Sequence, residues 1–140
     1  MSRSIAIELM NKKKCGQLAE QFACVYLKKQ GLSLLARNYR CRFGEIDLIM
    51  QEREQIVFIE VRYRARSMFG CSIETIHRAK QARLLKTAEH YLQRHTPYDE
   101  PPCRFDVIGL SPTTTQTDFS IVRASLTFSA QVEWLKKCIF

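Results

Sequence analysis

The sequence predicts a mixed α/β fold, a central sheet of about five strands flanked by helices in the order α-β-β-β-α-β-β. At the middle of the chain lies a hairpin pattern: two apolar runs of strand character, GEIDLIM and IVFIEVRYR, joined by the polar turn QEREQ. One helical pattern precedes it and a second follows, and a mixed sheet covered by helices accommodates that alternation. The 140 residues are 46% hydrophobic and 26% charged, ordinary globular composition. Residues 1–140 are therefore expected to form a single domain with a proper core. Within it, residues 1–14 read as a flexible basic arm and residues 126–140 as a C-terminal extension.

The arm ends in Asn11-Lys12-Lys13-Lys14 without a cap or a sustained period, the pattern of a solvated tail rather than of a nucleic-acid clamp. From Cys15 to Gln30 the period is helical. Leu18, Phe22, Val25 and Tyr26 make a stripe widened by Ala19, Ala23 and Leu27, and Gly31 supplies the stop. Glu20 sits at the margin of that stripe, either as a solvated flank residue or as one that reaches the acidic end of the sheet. Leu32–Asn38 reads as a short strand. The basic, aromatic connection Tyr39-Arg40-Cys41-Arg42-Phe43 then leads to Gly44, which permits a close turn or bulge. Past the hairpin, residues 64–74 are irregular. A second helix is expected over Thr75–His95, burying Leu84, Leu85, Ala88, Tyr91 and Leu92, with Lys80, Arg83, Thr87 and Arg94 along one flank. Cys103–Leu110 is a strand with Phe105 and Val107 on one face and Arg104, Asp106 and Ile108 on the other. Phe119–Ala124 reads as the last strand and Phe128–Cys138 as a short amphipathic helix. The aromatic stretch Trp134–Phe140 covers either the core or an interface.

The chain has 22 Lys and Arg against 14 Asp and Glu, a formal net charge of +8. Such a surplus biases a globular domain towards polyanions, nucleic acid first. The six cysteines are scattered without the short spacing of a zinc knuckle or a redox pair, so free intracellular thiols are expected. No apolar run approaches the roughly 20 residues needed to cross a bilayer, and no secretory signal is read. The expectation is a soluble cytoplasmic protein without a membrane partner.

The hairpin carries acid where a buried strand avoids it: Asp47 in its first strand and Glu60 in its second. Side chains alternate faces along a strand, so Glu60 and Arg62 share a face with Phe58 and Ile56, while Val57, Ile59 and Val61 fill the other. The same rule puts Asp47 with Glu45 and Ile49, and Ile46, Leu48 and Met50 on the opposite side. Pairing about Arg53-Glu54 brings Asp47 roughly opposite Glu60. Two carboxylates and a cation would then converge at one end of an apolar sheet, which is costly unless something neutralises the acids. Mg²⁺ (or Mn²⁺), held by Asp47, Glu60 and the carbonyl of Val61 with water and phosphate, would do so. The same E-x-R pattern also suits a surface ion pair.

The run GEIDLIM…VFIEVRYRARSMFG resembles the signature of the bacterial YraN family, which is assigned to the restriction-endonuclease-like superfamily. Three further blocks agree in order: AEQFACVYLKKQGLSLLARNYRCRFGEIDLI, IETIHRAKQARLLKTAEHYL and CRFDVIGL. The resemblance implies a restriction-endonuclease-like fold and a Mg²⁺-dependent endonuclease acting on DNA, including branched or processed DNA, as Holliday-junction resolvases do. It implies that Asp47 and Glu60 are the metal ligands, with Glu20 an auxiliary group acting through water. Arg64 and Lys80 would contact phosphate, alongside Arg40, Arg42 and Arg83 on the basic flank. Asp106 matches a family position whose expected role is a structural ion pair with Arg104 or a nearby helix rather than catalysis. Many nucleases of the superfamily are dimers, which suggests a homodimer.

One departure bears on chemistry. The family's E-V-K is E-V-R here, so Arg62 holds the place of the catalytic lysine. An arginine is always protonated and cannot accept a proton, although it can hold a phosphate. The alternative is therefore a catalytically silent nucleic-acid-binding or scaffolding module of the same fold. A second departure, Ala19-Glu20 where the family has Gly-Glu, keeps the acid and concerns packing.

Overall fold

The computed structural model describes residues 12–63, 78–112, 119–122, 125–128 and 130–136. Among the described residues two 18-residue helices, α1 (Lys12–Lys29) and α2 (Arg78–His95), accompany seven strands. These are β1 (Ser33–Cys41), β2 (Gly44–Glu52), β3 (Gln55–Tyr63), β4 (Cys103–Pro112), β5 (Phe119–Val122), β6 (Ser125–Phe128) and β7 (Ala130–Leu135). The main sheet has five strands in the order β1-β2-β3-β4-β7, and β5 and β6 form a separate hairpin. β1, β2 and β3 run antiparallel in succession, β3 and β4 pair in parallel, and β7 closes the far edge antiparallel to β4. The crossover between the parallel strands is made through α2. With the small hairpin set aside, the sheet and its helices follow α-β-β-β-α-β-β, the order expected from the sequence.

The two helices cover opposite faces. On one face Ala19, Ala23, Cys24 and Leu27 of α1 pack with Leu48, Met50, Val57, Ile59, Ile108 and Leu110. On the other, Leu84, Ala88 and Tyr91 of α2 pack with Ile46, Ile49, Ile56, Phe58, Phe105 and Val107. Each fully buried Leu, Ile, Val or Phe contributes about 1.5–3 kcal/mol, so these two layers hold the sheet between its helices. Among the described residues no helix is long and apolar enough to cross a membrane.

The structure corrects several expectations. α1 begins at Lys12, inside the basic arm, and its buried line is Ala19–Ala23–Leu27, with Val25 left 48% exposed. The small alanines let the helix lie close to the sheet. The helix ends as expected: Gly31 takes a φ of 101°, and the Leu32 N–H donates to the Leu27 carbonyl at 3.1 Å. β1 runs on to Cys41, so Tyr39 and Arg40 belong to the strand. Thr87, on the flank shared with Lys80, Arg83 and Arg94, is buried, its hydroxyl donating to the Arg83 carbonyl at 2.7 Å. The short C-terminal helix is instead β7, which pairs Val132 with Leu110 and Trp134 with Ile108. The stretch read as the last central strand contributes β5 to the separate hairpin.

The alternation along β2 also slips. Leu48 and Met50 share a face as expected, the one that α1 covers, but Ile46 faces α2 together with Ile49. The change of phase falls at Asp47. On the neighbouring strand Asn38 has a φ of 50°, a left-handed conformation that asparagine tolerates, and the β1–β2 register shifts between Leu34 and Ala36.

A buried polar network ties the hairpin-turn end of the sheet. Arg104 Nε donates to both oxygens of Asp106 at 3.0 and 3.1 Å, and its Nη1 donates to Glu52 and Gln55 at 2.9 and 2.7 Å. The indole N–H of Trp134 donates to Asp106 at 2.9 Å. This is the structural ion pair expected for Asp106, and it gives Trp134 its place on the core.

Candidate active site

The hairpin pairs Glu52 with Gln55 and stays in register up to Leu48 and Ile59. One step further the backbone ladder stops, and the Asp47 carboxylate takes over. The Val61 N–H donates to Asp47 Oδ2 at 2.8 Å. Asp47 and Glu60, thirteen residues apart in sequence, are thereby brought to the same end of two neighbouring strands.

They line a cleft of about 240 Å³ together with Gly44, Glu45, Lys80, Arg83 and Leu84. The acids come from β2 and β3 and the cations from α2, so the cleft lies where that helix meets the sheet. Lys80 Nζ reaches Glu60 Oε1 at 2.6 Å, and Glu60 is the more buried partner. A lysine expected to meet phosphate thus rests on a carboxylate. Burial drives the Asp47 carboxyl from its ordinary 3.8 up to about 8, reinforced by the charges of Glu60, Glu20 and Glu45 and opposed by the Val61 hydrogen bond. Glu20, on α1, shares this field. Burial raises its pKa, with help from Glu45 and Glu60, against a hydrogen bond from the Asn38 side chain and the charge of Arg37. Its Oε2 is buried and has no hydrogen-bond partner among the described residues.

The structure brings Asp47, Glu60, Lys80 and Arg83 together and sets Glu20 within their field. Arg40 lies at the rim, 3.4 Å from Glu45, with both side chains substantially exposed. Arg42 lies over the ring of Phe43, its guanidinium carbon 4.7 Å from the ring centre. Arg62 stands two residues beyond Glu60 on β3, outside the lining of the cleft. Arg64 lies outside the described residues. Sequence reasoning missed Glu45 as a member of the acid group. The signal was the acid pair of the GEID run, whose spacing of two puts both acids near the same end of β2. It also missed Asn38, which nothing in a short strand pattern distinguishes.

Gly44 closes the wall. It has a φ of 150°, and a Cβ there would lie 3.3 Å from the Thr87 hydroxyl. Gly44→Ala is therefore expected to cost about 1–3 kcal/mol of stability, read from urea unfolding. A loss below a few tenths would show that the turn relaxes without strain.

Comparison with known proteins adds the lineage. Residues 19–110 match the uncharacterised protein family UPF0102, the family to which the YraN resemblance pointed. A UPF0102 protein of Nitrosococcus oceani is 58% identical over 96 residues, covering 69% of this chain and 77% of that protein. One of Coxiella burnetii is 45% identical over 126 residues, covering 90% and 92%. One of Methylobacillus flagellatus is 56% identical over 99 residues, covering 71% and 85%. With its matched segment running from within the first helix into the fourth strand and holding every residue that lines the acidic cleft, the chain belongs to the UPF0102 family.

Proposed function

We propose that the protein is a Mg²⁺-dependent endonuclease that hydrolyses phosphodiester bonds in DNA, including branched or processed DNA. The observation that carries this reading is that Glu45, Asp47 and Glu60 from two neighbouring strands line one cleft, with Asp47 held far above its ordinary pKa in a field that Glu20 of α1 also feeds. Such crowding of acids is unfavourable for stability alone and becomes favourable when a cation enters. Among the described residues no three His, Cys, Asp or Glu side chains gather into a cage for a metal ion. A cation here would draw on Asp47 and Glu60, a main-chain carbonyl and water. Those hard oxygens, few of them from protein, suit Mg²⁺ or Mn²⁺.

When bound, the cation would acidify a water and offset the charge that builds up on the scissile phosphate. The chain's own residues do the rest. Asp47, anchored on the Val61 N–H, and Glu60, anchored on Lys80, present their carboxylates from two rigid strands. Lys80 and Arg83 on α2 would meet the phosphate across the cleft. Glu20 would act through water from α1. Arg62, Arg40, Arg42 and Arg64 would hold the polyanion's backbone and make binding salt-dependent.

Arg62 favours a second reading, the silent binding module, because it cannot take a proton from water. Cleavage of a labelled panel of single-stranded, duplex, flap and four-way-junction DNA with Mg²⁺ or Mn²⁺ separates the two. The expected result is cutting by the native chain, faster in Arg62→Lys. Binding without cutting by either protein would overturn the nuclease reading in favour of the silent module.

A further inference from the structure

Phe43 belongs to neither hydrophobic core. It stands half-buried at the turn between β1 and β2, where its N–H donates to Cys41 Sγ at 3.4 Å and helps fix the turn. Cations attend its ring. The guanidinium of Arg42 lies 4.7 Å from the ring centre, and the ammonium of Lys86, on α2, lies 5.9 Å away. The His90 ring meets it edge-on at 6.4 Å, and His90 Nδ1 is in turn 2.6 Å from the Tyr39 hydroxyl. Arg42 and Lys86 are both exposed. An aromatic ring is thus held in one orientation at the surface by groups that attract anions. The next residue, Gly44, is a wall of the acidic cleft, with Arg83 packed behind it.

We infer that Arg42 and Phe43 form a stacking platform for an unpaired nucleobase whose neighbouring phosphate lies at the cleft. This deepens the nucleic-acid reading above and rests on it. Planar bases stack on aromatic rings and on guanidinium planes alike. In a continuous duplex the faces of the bases are already stacked on one another, so the platform selects single-stranded segments, flaps or the unpaired step of a branch. Lys86 and Arg83 take the phosphates on either side of the stacked base, along the face of α2 that borders the turn. The Tyr39 hydroxyl, through its hydrogen bond with His90, steadies the imidazole that meets the Phe43 ring edge-on.

The test is binding in EDTA, without cleavage, of a single-stranded oligonucleotide carrying one fluorescent adenine analogue and of its blunt duplex. Native protein is compared with Phe43→Leu, Phe43→Trp and Arg42→Gln. Phe43→Leu is expected to weaken single-strand binding roughly tenfold and duplex binding less than about twofold, with loss of the stacking quench. Phe43→Trp, which keeps a ring, is expected to retain both affinity and quench even if the leucine variant folds poorly. Arg42→Gln is expected to fall between them. Equal losses on single strand and duplex, or no loss in Phe43→Leu, would overturn the platform while leaving nucleic-acid binding intact. Failure of the native chain to bind any of these DNAs would overturn the nucleic-acid reading itself and the platform with it.

Discussion

Asp47→Asn is expected to make the protein more stable above neutral pH and, on the nuclease reading proposed above, to abolish metal-dependent cleavage. The folded chain holds the Asp47 carboxyl at about 8 against an ordinary 3.8. Between those values the native state keeps a proton that the unfolded chain has released, so stability falls as pH rises through that window, and the loss is complete above it. Asparagine keeps an oxygen for the Val61 N–H and removes the ionisation. The variant should therefore match the native chain near pH 4 and exceed it by about 2 kcal/mol at pH 8, after discounting for solvent screening. That is several degrees in Tm. The measurement is thermal unfolding across pH in EDTA. A variant equally displaced at pH 4 and pH 8 would mean that Asp47 acts through packing, not charge. Loss of cleavage in the same variant, by about a thousandfold or more, would follow from removing one anionic ligand of a two-carboxylate site.

The second large effect lies at the other end of the sheet. Arg104→Met is expected to destabilise the fold by about 3–5 kcal/mol, a drop in Tm of roughly 10–20 °C. The Asp106 carboxylate is fully buried and takes two hydrogen bonds from Arg104. Without the guanidinium it loses both of those bonds at a fully buried position. Glu52, whose pKa is lowered by its hydrogen bond to Arg104, also loses its anchor. The double variant Arg104→Met, Asp106→Leu is expected to recover most of the loss, because the cost comes from a buried carboxyl left short of partners rather than from the missing bonds themselves. A double variant no better than the single one would contradict that account. On the nuclease reading, DNA cleavage by the double variant should be unchanged, since neither Arg104 nor Asp106 lines the acidic cleft.

The hairpin was legible because two constraints agree there. The apolar strand run IVFIEV and the polar turn at Arg53-Glu54 fix one register, and Leu48 opposite Ile59 follows from it. The convergence of Asp47 and Glu60 follows in turn. The face of Ile46 was not legible, because the change of phase at Asp47 leaves no mark in a pattern of apolar and polar letters. β7 was misread as helix for a related reason. Val132, Trp134 and Leu135 satisfy either period over so short a run, and the open edge of β4 decides the matter. The buried line of α1 was displaced because large apolar residues were weighted over alanines, whereas close approach to the sheet favours the small ones. Thr87 looked polar, yet an internal bond to the Arg83 carbonyl lets it enter the core. The contact of Lys80 with Glu60 joins a helix to a strand twenty residues apart, which no local pattern encodes.

The proposed function requires that the carboxylates of the cleft bind a divalent cation. Its most direct test is Mg²⁺ and Mn²⁺ binding by calorimetry at pH 7.5, with native protein and Asp47→Asn side by side. The native chain is expected to bind Mn²⁺ and, more weakly, Mg²⁺, with a matching rise in Tm, and the variant to show neither effect. Equal binding by both proteins, or none by the native chain at millimolar metal, would contradict it.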